Sequence, residues 1–200
     1  FHSGKTVQSG IRTFNTLNEL NGKDWLLSTK SWLILNPPPR GLKVLHPACY
    51  PEELASEFIQ FFTKKGHWVL DPFLGSGTTL VAANRLLRNG IGVELYPKFS
   101  QLARKRLREV GKEFSAESRV YTGDSRKIVE IFERNKLPHV NFCLTSPPYW
   151  NQLHQRHRRQ RLRVRRNLLT VYGTRRSDLG NITDYENFLV ETAKVFDGVY

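Results

Sequence analysis

"HWVLDPFLGSGTTLVAANRLLRNGIGVEL", residues 67–95, is the stretch on which the fold turns. Its first five residues (67–71) are an apolar run closed by an acid, the signature of a strand buried on both faces. A glycine-bracketed loop comes next, and "GTTLVAANRLLRNG" (77–90) then reads as a helix closed by Asn-Gly. "IGVEL" (91–95) is a second apolar run ending in an acid. Two buried strands joined by a helix need a crossover connection, so the pair is parallel and the crossover right-handed.

Working outward, the alternation continues. "PKFSQLARKRLREVG" (97–111) reads as a helix with Pro in its first turn and Gly past its end. "SRVYTG" (118–123) reads as a strand, "DSRKIVEIFERN" (124–135) as a helix and "HVNFCLT" (139–145) as a strand. "TDYENFLVETAKVFDGV" (183–199) is a further amphipathic helix. Upstream, "PEELASEFIQFFTKK" (51–65) opens on acids and closes on lysines, which complements a helix dipole, with Leu54, Phe58, Phe61 and Phe62 as its apolar face. The expected fold class is α/β, a doubly wound and mostly parallel sheet. Residues 1–22 are polar and weakly patterned and read as an arm; residues 23–200 read as one domain.

The 200 residues are 39% hydrophobic and 12% aromatic, a globular composition. No apolar run approaches the about 18 residues of a membrane span, and "FHSGKTVQSG" carries no signal-peptide core, so the expectation is a soluble, cytoplasmic protein. Cys49 and Cys143 lack CxxC spacing and read as buried free thiols rather than a disulfide or zinc site. The net charge of +13 points to a polyanionic partner. Nine arginines and no acid lie in 151–176, leaving +4 elsewhere. Arg156, Arg158, Arg159, Arg161, Arg163, Arg165 and Arg166 form the denser part of that loop, a candidate nucleic-acid contact or a solvated charge run.

In an open parallel sheet, ligands collect at the carboxyl ends of the strands. The four strands deliver there Asp71-Pro72-Phe73-Leu74-Gly75-Ser76-Gly77-Thr78, then Glu94, then Asp124-Ser125, then Thr145 to Trp150. The first loop has no lysine after Gly77 and so fails as a P-loop; Leu80 stands where a dinucleotide fingerprint needs a small residue. Asp71 would repel a phosphate and suits a ligand with positive charge. Glu94 is spaced to accept from ribose hydroxyls and Asp124 from an adenine amine, or else to cap the helix after it. The set fits an adenosine-type cofactor without phosphates.

The motifs "DPFLGSGTT", "GVEL" and "TSPPYW" resemble motifs I, II and IV of S-adenosylmethionine-dependent DNA amino-methyltransferases, and "HPACYPEEL" (46–54) resembles their motif X. The motifs span 46–150 in the order of the gamma arrangement. The resemblance implies an S-adenosylmethionine site at Asp71–Thr78, Glu94, Asp124 and Ser125, with His46-Pro47 leading into a helix that closes over it. It implies a seven-stranded sheet, so with four strands evident before Tyr200 and no Met, the chain is expected to be a fragment whose remaining strands lie elsewhere. It also implies double-stranded DNA as substrate and, by default, a companion restriction endonuclease; a complementing chain is a further expected partner, and the oligomeric state stays open.

Ser-Pro-Pro-Tyr is the form most associated with cytosine-N4 enzymes, with adenine-N6 transfer as the sister activity. Ser146 Oγ and the Pro147 carbonyl would accept the N–H groups of a base amine, localising its lone pair. Pro147 and Pro148 stiffen the turn and leave its carbonyls bare. Tyr149 would stack on a flipped base, and Trp150 would line the same pocket. Carbon-5 methylation needs a Pro-Cys nucleophile, and here Pro147 is followed by Pro148. The competing readings are a rigid or polyproline turn for 146–150, core roles for Tyr149 and Trp150, an RNA or protein-amide substrate, and a non-catalytic nucleic-acid-binding fragment.

Overall fold

Apolar residues on both faces of a strand require cover on both faces, and this decides the architecture. The computed structural model describes residues 16–29, 32–38, 41, 46, 49–111, 113, 115–150, 164–165 and 172–200. Strands β1 (Trp68–Asp71), β2 (Asn89–Glu94), β3 (Ser118–Thr122) and β4 (Phe142–Cys143) form one sheet in the order β3-β2-β1-β4. Every pairing is parallel, with Leu70 opposite Ile91 on one side and Cys143 on the other. The helices are α1 (Gly22–Ser28), α2 (Glu52–Phe62), α3 (Thr78–Arg85), α4 (Pro97–Val110), α5 (Ile128–Asn135) and α6 (Tyr185–Val199).

Successive residues of β1 point to opposite faces. Val69 packs with Ala55 and Ile59 of α2 and Ala82 and Ala83 of α3. Leu70 packs with Ile91, Ile128 and Phe132 on the α5 side, where Val199 of α6 also lies. On the first face, Leu80 and Val81 meet Ala103, Leu107 and Val110 of α4. The sheet is thus wound from both sides, as its apolar strands required. The chain leaves β1 towards β2 and β3, then returns to place β4 on β1's other edge. That reversal opens a crevice at the carboxyl end of β1.

Several boundaries differ from the sequence reading. Asn89-Gly90 does not stop α3; it begins β2, and the turn is made earlier by Leu87 at φ 62. The helix expected from 124 starts as a 3-10 turn (Ser125–Lys127), because the Asp124 carboxylate caps Arg126 N–H before α5 begins. Strand β4 holds only two residues, and Leu144 N–H to the Leu70 carbonyl is the last bond of its ladder. The buried face of α2 is Ala55 and Ile59, rotated from the expected phenylalanines. Phe58 and Phe62 sit at its margin, where Phe62 stacks on Phe142 at 5.1 Å.

The expected arm is docked in its described part. Asn18 is buried and its Nδ2 donates to the Phe61 carbonyl at 2.6 Å, while Glu19 pairs with the buried Arg88. Residues 1–15 lie outside the described residues. Among the described residues no helix is long and apolar enough to cross a membrane.

The loop between β1 and α3 turns through Gly75 (φ +54) and Gly77 (φ +86). A Cβ on Gly77 would stand 2.8 Å from Ala103 Cβ and 3.1 Å from its Cα, so α4 approaches the loop too closely for any side chain there. Gly77→Ala combines a left-handed backbone with overpacking and is expected to cost about 2–4 kcal/mol, read as a shift of the urea midpoint at unchanged m-value.

Candidate active site

The carboxyl ends of β1, β2 and β4 and the turn after β3 converge on one cavity. Its walls include His46, Cys49 and Tyr50, the loop residues Pro72, Phe73, Gly75, Ser76 and Thr78, and Glu94. Asp124, Ser125, Ser146, Pro148 and Tyr149 line it as well, whereas Gly77 does not, and Tyr172, Ser177, Asp178 and Leu179 close it from above the strand ends. Four separate strand ends therefore do meet at one place.

Glu94 is buried, with Oε2 accepting from Gly75 N–H and Oε1 from Tyr96 N–H, each at 2.8 Å. These bonds tie the glycine loop to the end of β2 and leave one lone pair on each oxygen for a ligand. Burial pushes the Glu94 carboxyl up to about 7 against the opposing pull of those two N–H groups. Gly75 makes the loop's close approach to His46 possible, since a Cβ there would stand 2.8 Å from His46 Nε2. His46 is itself buried, edge-on to Phe99 at 4.4 Å, with Cys49 Sγ 3.5 Å from its Nδ1.

Asp124 lines the cavity but is also bound to Arg126, whose Nη2 lies 2.5 Å from Oδ2. Burial raises its carboxyl, yet the Arg126 hydrogen bonds and charge outweigh it and hold Asp124 below the usual range. Arg126 in turn pairs with Glu191, fastening this turn to α6. The Ser125 hydroxyl, buried, donates to the Pro72 carbonyl and braces the first loop against the third strand end.

Asp71 has a different place from the one expected. It is 1% exposed and does not line the cavity. Its Oδ1 accepts from Phe73 N–H at 3.0 Å and Thr145 Oγ1 at 2.6 Å; its Oδ2 accepts from Thr79 Oγ1, with Tyr50 OH at 3.5 Å. Four donors from the protein surround it, so it faces inward rather than toward a cationic ligand. Burial outweighs those donors and pushes its carboxyl above the ordinary range.

At the end of β4, Ser146 Oγ lies 3.1 Å from Tyr149 OH, and the Tyr149 side chain is 55% exposed. Ser146, Pro148 and Tyr149 line the cavity, whereas Pro147 does not. Trp150 departs from its expected place: it packs with Leu179, Phe188 and Val195, edge-on to Tyr185 at 5.1 Å. An indole held there is part of the α6 core and does not line the pocket; its Nε1 has no hydrogen-bond partner among the described residues. Pro47 and Arg156, Arg158, Arg159, Arg161, Arg163 and Arg166 lie outside the described residues, and Arg165 is exposed. Arg175, read as part of the basic loop, folds back to donate to the Leu95 carbonyl at 3.0 Å.

Sequence reasoning missed the upper wall. Tyr96 OH donates to Asp178 Oδ2 at 2.7 Å, and Asp178 Oδ1 caps Gly180 N–H, so the 172–182 segment is pinned to the end of β2. A carboxylate just before a short helical turn is a weak signal, and nothing in the spacing pairs it with a tyrosine 82 positions earlier. Cys49 and Cys143 form no disulfide, and both are only half-buried, where buried thiols were expected. Among the described residues no His, Cys, Asp or Glu group is placed to hold a metal ion.

The fold is a doubly wound sheet with a cavity at its switch point. Residues 15–105, a little under half of the chain, match the family described as DNA methylase. The chain is 49% identical over 65 residues to the Type II methyltransferase M.MthZI of Methanothermobacter thermautotrophicus, covering 32% of this chain and 18% of that protein. It is 48% identical over 62 residues to M2.DpnII of Streptococcus pneumoniae, covering 31% and 23%. The solved M1.HpyAVI–SAM complex is 34% identical, with a TM-score of 0.38 over 46% of this chain and 43% of that one. The chain spans about a fifth of the length of these two curated relatives. The family match ends before Ser146, so it bears on the Asp71–Glu94 half of the cavity and not on the Ser-Pro-Pro-Tyr turn.

The raised carboxyl of Glu94 fixes the sign of a pH effect. Its folded-state value lies above the ordinary 4.5, so the proton it holds contributes stability that is complete below about 4.5 and lost as the pH rises through about 7. Glu94→Gln is expected to flatten the fall in stability between those limits relative to the unsubstituted protein, measured by urea unfolding across the pH series. Parallel slopes in the two proteins would remove Glu94 as the cause.

Proposed function

We propose that this chain carries the cofactor site and the amine-binding turn of an S-adenosylmethionine-dependent DNA methyltransferase that modifies an exocyclic amine, the N4 of cytosine. The observation that carries the reading is the convergence of Gly75, Glu94 and Asp124 with Ser146, Pro148 and Tyr149 on one cavity. The match of residues 15–105 to DNA methylases supports it independently.

The donor set suits such a cofactor. Glu94 keeps carboxylate lone pairs for ribose hydroxyls, and Asp124 presents a carboxylate at the cavity edge for an adenine amine. Phe73, Leu74, Tyr172 and Leu179 give apolar walls for a purine ring. The Gly75 backbone and His46 lie too close for a side chain between them, so the loop packs directly on His46, which itself lines the cavity. When bound, S-adenosylmethionine supplies an electrophilic methyl group on a sulfonium.

The protein's part is to hold the nucleophile. A base amine is weakly nucleophilic because its lone pair is delocalised into the ring. Ser146 Oγ, on the cavity wall, accepts one amine N–H and so draws the lone pair out of conjugation. The half-exposed ring of Tyr149 gives a stacking face for a base taken out of the duplex. The prolines keep that turn stiff, and positioning supplies most of the rate. The net charge of +13 favours a nucleic-acid substrate over a protein amide. The Ser-Pro-Pro-Tyr form favours cytosine-N4 over adenine-N6 transfer.

Two measurements on the whole protein test this. Isothermal titration with S-adenosylmethionine is expected to give saturable binding that Ser146→Ala leaves within about twofold, while methyl transfer to duplex DNA falls at least about a hundredfold in the variant. Nucleoside analysis of the product is expected to give 4-methylcytosine. N6-methyladenine would move the assignment to the sister activity, and no cofactor heat would remove it.

A further inference from the structure

Strand β4 is very short, and few hydrogen bonds hold the turn after it, whose far end is anchored by Trp150 in the α6 core. The last ladder bond is Leu144 N–H to the Leu70 carbonyl at 3.0 Å. Beyond it, among the described residues, no backbone–backbone hydrogen bond fixes 145–149, and Pro147 and Pro148 have no N–H to give. Among the described residues, Ser146 Oγ hydrogen-bonds only with the Tyr149 hydroxyl, which belongs to the same turn. The link from this turn back to the sheet is Thr145 Oγ1, which donates to Asp71 Oδ1 at 2.6 Å.

The same carboxylate oxygen accepts from Phe73 N–H in the cofactor loop, and the other accepts from Thr79 at the start of α3. Tyr50, which lines the cavity, hydrogen-bonds with Thr79 and reaches Asp71 Oδ2 at 3.5 Å. One buried group therefore touches the loop that would cradle the cofactor and the residue before the amine acceptor.

We propose that Asp71 and Thr145 are positioning residues that set the distance between the cofactor loop and Ser146, rather than ligands of either substrate. This rests on the methyltransferase reading of the site. In-line displacement demands that donor and acceptor be held in a fixed relation, and here one buried carboxylate hydrogen-bonds to both sides. Thr145 supplies that hydroxyl, and its neighbour Ser146 is the residue facing the cavity.

Thr145→Val keeps the shape and removes the hydroxyl; Thr145→Ser keeps the hydroxyl and removes a methyl group. The expected result for Val is a fall in kcat of at least about tenfold with cofactor Kd within about twofold, and for Ser a kcat near that of the unsubstituted protein. Amide hydrogen exchange, read without cofactor, is expected to quicken in Val at Leu144, whose N–H bonds the Leu70 carbonyl, and stay unchanged in β2. Unchanged exchange and kcat in Val would overturn the proposal, as would a loss that Ser fails to rescue or that cofactor affinity follows in parallel. Failure of the methyltransferase reading shows separately, as absence of transfer by the unsubstituted protein, and the exchange arm still decides the positioning claim.

Discussion

A carboxylate buried at the end of the central strand organises this molecule. Asp71 is fully enclosed and satisfied by donors from four separate places: the turn after β1, the first turn of α3, the segment before α2 and the end of β4. Removing a charge from water is costly unless its acceptor positions are filled, so each donor is held where the carboxylate needs it. Two of those donors, Phe73 and Tyr50, themselves line the cavity. Elements far apart in sequence are brought into register by one enclosed group behind the cavity wall.

The topology explains why this group sits at β1. The strand order β3-β2-β1-β4 makes β1 the point where the chain reverses its direction of winding, so loops diverge on its two sides and leave a crevice. Glu94 works one strand over by a similar device, using both carboxylate oxygens to tie the glycine loop to Tyr96. Tyr96 then reaches Asp178 and fixes the upper wall. Acids at strand ends here serve first to assemble backbone; Glu94 and Asp124 also line the cavity, and Asp71 does not.

Much of this is legible in sequence because it arises from local chemistry. The apolar runs ending at Asp71 and Glu94 read as buried parallel strands, and their acids and glycines mark the site edge. Local pattern misleads where tertiary contacts set the outcome. Asn89-Gly90 reads as a helix stop, but Leu87 adopts a positive φ and frees both residues to pair in β2. Trp150 adjoins the site in sequence, yet a large ring beside an amphipathic helix is worth more packed against Tyr185 and Phe188 than facing solvent. The strand-end position marks Asp71 as important but suggests an outward role, because sequence does not reveal that Tyr50, Thr79 and Thr145 converge on it. The Tyr96–Asp178 bond leaves no pattern at all.

The most direct test is a crystal structure of the protein with S-adenosylmethionine bound. The account predicts the cofactor in contact with Glu94 and the Gly75 backbone, while Asp71 still accepts from Thr145 and Phe73 and touches no ligand atom. A cofactor amino group or sulfonium bonded directly to Asp71, with the Thr145 bond broken, would contradict it.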